Sequence, residues 1–367
     1  MNTYRPPNLG AADGGDADGG ITLIEQLVPD ARERAWFRQW LAYKWKHPHV
    51  PGPAVIMVAR DMGTGRGTFA YFLKLLFGNR YVVNVPFKIF AGLNTQSQFT
   101  EWGLNALFAI VNESSATGDM STYKTKHAVY EHLKEMVEPR PTERNYVIKG
   151  EGSVNAVSSM TSMVMTNHSD AIPLPEGDRR FAVLTNGCVR DPEFWNYINE
   201  WLGKKANIAA FSQWLEATDL ASYDPYAVPL STVAKEEMSE LNKSPLDRLL
   251  HDAMAEMDGY FVPEQVLHKM AEAEMRTKSN LPHGWRNIAT KEISQVAYAC
   301  RNNSGRKIET QINGRRCNPM HTDRKMAEKC IVRTEAIRSE VIKNGDVFGL
   351  TPAASKIKPR LKIVKKD

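Results

Sequence analysis

The chain has 367 residues, of which 42% are hydrophobic and 24% charged, as in ordinary globular proteins. This length accommodates two or three domains of roughly 150 residues each. No apolar run approaches the roughly 18 residues that cross a bilayer, no secretory signal opens the sequence, and four cysteines make no disulfide framework. These features exclude a membrane-spanning protein and a disulfide-rich secreted domain, so we expect a cytoplasmic protein with no membrane partner.

Charge is unevenly distributed along the chain. The formal net charge is +5, from 47 basic and 42 acidic residues. From Lys243 onwards there are roughly 24 basic and 15 acidic side chains, which leaves the preceding part slightly acidic. A basic segment joined to an acidic one predicts a polyanionic partner for the basic part, although a solvated basic surface would give the same pattern.

The first 53 residues combine a polar start with a helical segment. Residues 1–20 are rich in glycine and aspartate and have little to bury, which predicts a disordered tail. Residues 21–53 form an N-terminal helical segment, because Trp36, Trp40 and Trp45 recur at helical spacing before a proline-rich end. That spacing favours core packing of the three tryptophans over base stacking.

Residues 54–220 alternate between short apolar runs and amphipathic stretches. Buried strands are predicted at residues 54–59, 106–111, 162–166 and 181–185. Helices are predicted at residues 69–77, 124–137 and 193–214. Strands alternating with helices predict an α/β fold, with a mostly parallel sheet and helices on both faces.

The remainder of the chain is predicted to form a second domain. Residues 221–243 are polar and contain two prolines, which is typical of a linker. Residues 244–350 contain predicted helices at 263–275 and 288–300 and a hairpin at 306–316, turning at Asn313-Gly314. Two helices and a hairpin are parts of a winged-helix-like, mainly α domain, and residues 351–367 form a basic tail.

A glycine-rich loop joins the first predicted strand to the following helix. Glycines allow the backbone N–H groups to point at phosphate oxygens, and the helix N-terminus adds a positive dipole end. The predicted phosphate-binding residues are Gly63, Thr64, Gly65, Arg66, Gly67 and Thr68. The segment departs from G-x-x-x-x-G-K-[ST] at three positions, occupied by Arg60, Arg66 and Gly67, so an ordinary strand–helix turn remains an alternative.

Polar residues end the second apolar run. Glu113 is the candidate general base that polarises the attacking water, and Asn112 with Thr68 is a candidate Mg²⁺ ligand. The alternative for Glu113 is an ordinary carboxylate at the end of a strand.

Two further positions complete the candidate site. Asn167 follows the third apolar run, where an amide can orient water beside a γ-phosphate, although a turn-forming role is the alternative. Arg179 and Arg180 precede the fourth run and suit an arginine finger that reaches a neighbouring subunit. A surface ion pair with Asp178 is the alternative for these arginines.

In this order, the elements resemble the superfamily 3 helicase core of phage and viral primase-helicases, including the poxvirus-type proteins. The resemblance covers about half of the chain, residues 35–201. Besides the glycine loop, the matching stretches are Trp40 to Pro48, Val111-Asn112-Glu113, His132-Leu133-Lys134, Tyr146 to Gly150, Thr166-Asn167-His168 and Asp178 to Phe181.

The resemblance implies a P-loop, AAA+-like ATPase that forms a homo-hexameric ring. Such a protein would hydrolyse ATP with Mg²⁺ and translocate on single-stranded DNA during replication of a phage, plasmid or integrated element. By this resemblance Asn167 is the sensor, Arg179 or Arg180 is the finger supplied in trans, and Lys149 approaches DNA in the central channel. A separate primase or polymerase would supply primers, in the cytoplasm of a bacterial host or a virus-infected cell.

Two substitutions leave other functions open. Arg66 keeps the positive charge of the usual lysine but changes its geometry, and Asn112 removes a negative charge from the magnesium site. The chain could therefore bind nucleotide without hydrolysing it, as a DNA-binding or assembly protein. It could also be an ATP-dependent initiator or loader without unwinding activity.

The basic C-terminal part contains the candidate DNA contacts. Arg306, Lys307, Arg315 and Arg316 flank the predicted hairpin and would contact backbone phosphates without reading sequence. Zinc is not expected, because no pair of cysteines has the C-x₂₋₄-C spacing of a structural site, although Cys317-x₃-His321 is a possible ligand pair. The residues considered for zinc are Cys300, Cys317, His321 and Cys330.

Overall fold

The computed structural model describes most of the chain in two compact units, Met1–Asn242 and Lys243–Asp367. The described residues are 4–112, 123–243, 245–256, 262–278, 283–300, 306–307, 310–312, 315–322 and 327. Within these ranges, no helix has both the length and the apolar character that a bilayer crossing requires.

The first unit alternates helices and strands. Its helices are α1 Asp18–Leu27, α2 Ala31–Lys46, α3 Arg66–Phe77, α4 Phe87–Phe90, α5 Tyr123–Met136, α6 Pro192–Leu202, α7 Lys205–Glu216 and α8 Val233–Asn242. Its strands are β1 Ala54–Val58, β2 Val82–Pro86, β3 Phe108–Asn112, β4 Glu143–Ile148, β5 Gly152–Val157, β6 Thr161–Thr166 and β7 Phe181–Thr185.

Five strands form one central sheet in the order β2-β3-β6-β1-β7. Every neighbouring pair is parallel, which confirms the predicted parallel α/β sheet. Val58 at the end of β1 pairs with Thr166 of β6 and Thr185 of β7, so these strands finish at one edge. The loops that follow these strands therefore leave the sheet on the same side. In such folds, ligands bind beside the carboxyl ends of the strands.

Helices cover both faces of this sheet, as predicted. Successive side chains of a strand point to opposite faces. Accordingly, Val55 and Met57 belong to one buried cluster, with side chains of α1, α2, α3, α6 and α7. Ala54 and Ile56 belong to a second buried cluster, with side chains of α4, α5 and α8. The tryptophans of α2 pack in or against the first cluster, as their spacing predicted.

The predicted disordered tail, residues 1–20, is wrong for residues 18–20, which form the first turn of α1. Gly19 and Gly20 are buried in α1. A Cβ on Gly19 would lie 2.3 Å from Trp201 Cγ, and one on Gly20 would lie 2.4 Å from Phe211 Cδ2. The glycines therefore permit close packing of α1 on two aromatic rings, and do not reflect a lack of structure.

The predicted linker, residues 221–243, is wrong in its second half, which forms α8. Ala234 and Met238 of this helix lie in the second buried cluster. Lys235 Nζ donates hydrogen bonds of 2.7 Å to the carbonyl oxygens of Asp178 and Phe181. These contacts tie α8 to the start of β7, so the helix belongs to the first unit.

Two predicted helices are each divided in the structure. The helical segment that begins at residue 21 breaks before α2, where Asp30 caps the helix by accepting hydrogen bonds from the N–H groups of Arg32 and Glu33. The predicted helix at 193–214 is divided into α6 and α7 at Gly203 and Lys204. Strand β2 was missed, as was the antiparallel pair β4–β5, whose mostly exposed second strand gives no apolar run.

Within the described residues, the second unit contains the helices α9 to α11 and short strands. Its elements are α9 Pro245–Glu256, β8 Val262–Pro263, α10 Glu264–Lys278, α11 Trp285–Val296, β9 Tyr298–Ala299, β10 Thr310–Ile312, β11 Arg315–Cys317 and β12 Pro319–His321. Leu250, Leu267 and Ile293 from the three helices share one buried cluster. Strands β8, β12 and β9 form an antiparallel sheet.

The predicted hairpin of this unit is present. Strands β10 and β11 are antiparallel, and Ile312 pairs with Arg315. The two residues between them, Asn313 and Gly314, lie outside the described residues, as does the predicted basic tail at 351–367. The predicted helices at 263–275 and 288–300 correspond to α10 and α11, with shifted ends.

Candidate active site

The glycine loop follows β1, an inner strand of the sheet, and leads directly into α3. Gly63 has φ +78° and Gly65 has φ +99°, a left-handed conformation that favours glycine. Gly65 is the residue immediately before the helix, whose first residue is Arg66. The unpaired N–H groups of the first helical turn therefore open onto the loop, which is the usual arrangement for binding an anion.

A cavity of 510 Å³ lies on this loop. Its lining consists of all six predicted phosphate-loop residues, Gly63 to Thr68, together with Asn112, Met165, Asn167 and Trp195. The ends of β3 and β6 thus reach the same space as the loop after β1. The structure brings together residues that are far apart in sequence, and the volume is in the range of small-molecule sites.

Arg66 connects the loop to the end of β6. Its Nη1 donates a hydrogen bond of 2.5 Å to the carbonyl oxygen of Thr166, and its Nη2 donates one to Oδ1 of Asn167. The forked guanidinium makes both contacts at once, which an ammonium on a lysine stem reproduces poorly. The positive charge is therefore positioned at the edge of the cavity, beside the amide predicted to be the sensor.

Thr64 is a buried polar residue within the loop. Its side chain is 1% exposed, and its hydroxyl oxygen has no hydrogen-bond partner within the described part of the chain. A buried hydroxyl without a partner costs free energy of about 1–3 kcal/mol. A ligand oxygen in the cavity would offset that cost, so the hydroxyl fits a site for a polyanion.

The predicted carboxylate and magnesium ligands are only partly placed. Glu113 lies outside the described residues, directly after Asn112, which ends β3 and is exposed. Thr68 lines the cavity in the first turn of α3. Among the described residues that line the cavity, none is a carboxylate.

Arg179 and Arg180 lie at the amino ends of the strands, whereas the cavity lies at their carboxyl ends. They precede β7, whose first residue, Phe181, pairs with Ala54 at the start of β1. A strand of this length spans about 17 Å. The structure therefore does not bring these arginines to the cavity.

The two arginines have different surroundings. Arg180 Nη2 lies 3.3 Å from Glu138 Oε2, so its ion pair is with Glu138, whereas the predicted alternative was Asp178. Asp178 accepts hydrogen bonds from the N–H groups of Arg180 and Phe181 and from the hydroxyl of Tyr130. Burial, with the adjacent Asp178, raises the pKa of the Tyr130 phenol well above its usual range. Arg179 is exposed, and Arg180 is part of a structural network.

Lys149 occupies the exposed tip of the β4–β5 hairpin and does not reach the cavity. Its backbone N–H donates a hydrogen bond of 3.0 Å to Glu101 Oε2, which holds the tip against the segment before β3. The ammonium of its side chain lies over the ring of Phe99, 5.9 Å from the ring centroid.

Lys307, one of the predicted DNA contacts in the second unit, forms an ion pair. Lys307 Nζ lies 2.7 Å from Glu264 Oε1, so its charge is partly neutralised. Burial alone would raise the pKa of Glu264, but hydrogen bonds from Lys307 and Asn318 lower it below its ordinary value. Arg306 is exposed, and Arg315 and Arg316 lie on β11.

Trp195 is a cavity residue that sequence reasoning missed. It lies in the first turn of α6, after β7, and only the folded chain brings it to the glycine loop. Its position in an amphipathic helix gave no signal to distinguish it from a core tryptophan.

Part of the chain is similar to one protein family. A family of unknown function, DUF5906, has a model that matches residues 57–180, which include the glycine loop, Asn112 and Asn167. No curated protein sequence matches the chain.

The chain resembles solved structures of the NrS-1 C-terminal region. An apo form matches with a TM-score of 0.57 and 18% identity, over 88% of this chain and 80% of that one. The apo structure of NrS-1 residues 305–718 matches with a TM-score of 0.56 and 18% identity, over 87% and 79% of the two chains. JCV helicase matches with a TM-score of 0.33 and 14% identity, over 65% of this chain and 64% of that one, which is too weak to establish a shared fold. The NrS-1 likeness establishes the fold alone.

Proposed function

We propose that the chain is an ATP-dependent DNA helicase with a superfamily 3, AAA+-like core, acting in replication of a phage, plasmid or integrated element. The observation that carries the proposal is the single cavity shared by the glycine loop, Asn112 and Asn167. Parallel strands bring a phosphate-binding loop and two strand ends to one edge, which is the arrangement that nucleotide hydrolysis needs.

The predicted site residues each have a role in this proposal. Residues 63–68 bind the phosphates through backbone N–H groups and the Arg66 guanidinium. Thr68 and Asn112 would hold Mg²⁺, which neutralises phosphate charge when bound. Glu113 polarises the attacking water as general base, and Asn167 orients it.

The edge position of Arg179 supports assembly into a ring. Arg179 is exposed at the amino end of β7, about 17 Å of strand from the end that carries the cavity, a position that suits the site of a neighbouring subunit. In a homo-hexamer, Arg179 or Arg180 would act as the finger for the adjacent ATP. Because Arg180 is paired with Glu138, Arg179 is the better candidate.

Single-stranded DNA is the proposed polymer. Lys149, exposed at a hairpin tip, would contact DNA in the central channel of the ring. The second unit, with its helices and the β10–β11 hairpin, would act as a winged-helix-like domain that contacts phosphates through Arg306, Lys307, Arg315 and Arg316.

The decisive experiment is the ATP hydrolysis rate of the full chain with and without single-stranded DNA. We expect measurable turnover that rises when DNA is added, together with separation of a forked duplex. Turnover without strand separation would favour an ATP-dependent loader over a helicase.

A second candidate function is nucleotide binding without hydrolysis. It is favoured by the hydrogen bonds that hold Arg66 against Thr166 and Asn167, and by the neutral side chain of Asn112. In that case the chain would bind nucleotide to stabilise a DNA-bound assembly. Binding of ATP with no turnover, in the presence of DNA, would select this candidate.

The proposed DNA-binding residues predict a change in salt dependence. Replacing Lys149, Arg306, Arg315 and Arg316 with alanine should flatten the slope of log affinity for single-stranded DNA against log salt, by about 0.7 for each phosphate that the variant no longer neutralises. Fluorescence anisotropy over a salt series measures this slope. Alanine at Lys307, which is paired with Glu264, should change it less. An unchanged slope in the fourfold variant would contradict the assignment.

A further inference from the structure

Trp195 lies directly on the backbone of the glycine loop. A Cβ built on Gly65 would come within 2.4 Å of Trp195 Cη2, so the ring occupies the space that any other residue would need. The indole is half-buried and forms part of the cavity wall. An aromatic face is therefore present at the site beside the proposed phosphate loop.

Neighbouring residues hold the orientation of this ring. Asp191 caps α6 by accepting a hydrogen bond of 2.8 Å from the N–H of Phe194. The ring of Phe194 stands at 90° to that of Trp195, with 4.9 Å between centroids. The guanidinium of Arg190 lies over the ring of Phe194, 4.8 Å from its centroid. The indole is thus fixed by packing before any ligand enters.

The order of strands determines which end of a nucleotide would meet this ring. Strands β6 and β7 lie on opposite sides of β1. Asn112 and Asn167 mark the side of β3 and β6, where the γ-phosphate is expected. Trp195 follows β7, on the other side. A triphosphate with its γ end near Asn167 would direct its nucleoside end toward Trp195.

We propose that Trp195 stacks on the nucleobase, so that the site selects nucleoside triphosphates over bare polyphosphate and favours purines over pyrimidines. This inference rests on the proposed function and adds a specificity-determining residue to the same site. Stacking on an indole is tolerant of base identity, but the larger purine surface gains more from it. The contribution corresponds to about 10- to 100-fold in affinity.

The test compares ligands with and without a base. Calorimetry would give the Kd of ATP, CTP and inorganic tripolyphosphate, each with Mg²⁺, for the wild type, Trp195→Ala and Trp195→Phe. We expect Trp195→Ala to weaken ATP binding about 10- to 100-fold. The same change should weaken CTP binding less and leave tripolyphosphate binding nearly unaltered. Phenylalanine should restore most of the ATP affinity.

Two further measurements keep the test decisive. Tyr197→Ala is the matched control, because Tyr197 is an exposed aromatic residue on the same helix and does not line the cavity. Quenching of tryptophan fluorescence by ATP should occur in the wild type and be lost in Trp195→Phe, which tests stacking even if the alanine variant fails to fold.

Each contrary result has a distinct meaning. Equal losses of ATP and tripolyphosphate affinity would show that Trp195 only packs against the loop, and unchanged ATP affinity would also overturn the inference. If the wild type binds neither ATP nor tripolyphosphate, the proposed function fails as well. Binding of both ligands by the wild type therefore separates failure of the base contact from failure of the site.

Discussion

Alanine in place of Arg179 is expected to lower the ATP turnover of the assembled protein by about 10³-fold. An arginine finger stabilises charge that develops on the transferring phosphoryl group, and its loss affects turnover far more than folding. Arg179 is exposed at the amino end of β7, away from the cavity of its own subunit. The free energy of unfolding should therefore be unchanged, which thermal denaturation of the variant would check.

Arg180→Ala is the matched comparison for this prediction. Arg180 is partly buried and paired with Glu138, so its removal leaves that carboxylate without its partner. We expect a loss of stability of about 1 kcal/mol, with a smaller effect on turnover. The opposite pattern would make Arg180 the finger.

Mixing experiments test whether the finger acts across an interface. Arg179→Ala and Glu113→Gln damage different halves of a shared site, so some interfaces in a mixed ring contain both intact halves. Turnover should then exceed that of either variant alone. Failure of every mixing ratio to restore turnover would argue against a site formed by two subunits.

Glu113→Gln is expected to reduce ATP turnover by about 10²- to 10⁴-fold while leaving nucleotide affinity largely intact. The amide is the same size as the carboxylate but does not accept the proton of the attacking water. Steady-state hydrolysis and equilibrium binding, measured on one preparation, separate the two effects.

Glu216→Gln serves as the control for this substitution. Glu216 is an exposed carboxylate at the end of α7 and does not line the cavity. Its replacement should leave turnover unchanged. Equal turnover rates for Glu113→Gln and the wild type would contradict the catalytic assignment. They would favour a protein that binds nucleotide without hydrolysing it.

The parallel sheet could be predicted because each of its strands that was found is marked by a local apolar run in the sequence. The residues of β1 are buried on both faces, and such a strand reads as a continuous apolar run. The glycine loop, Asn112 and Asn167 line one cavity because parallel strands present their carboxyl ends at one end of the sheet.

Other features depend on tertiary contacts that cannot be read from the amino-acid composition. In the sequence, Gly19 and Gly20 resemble part of a flexible tail. In the structure, they pack against the rings of Trp201 and Phe211. The exposed strand β5 has no apolar run to mark it, because its stability comes from backbone pairing with β4. Trp195 meets Gly65 only after the sheet has placed α6 beside the loop.

The sheet order also constrains how the protein is made. β1 lies between β6 and β7, so the strand that carries the glycine loop is the first of the five to leave the ribosome and the last to gain both neighbours. Until Thr185 has emerged, one edge of this apolar strand lacks its final partner. Non-local parallel pairing of this kind is slow and exposes the growing chain to aggregation. The site that defines the proposed chemistry is thus assembled late in the synthesis of the first unit.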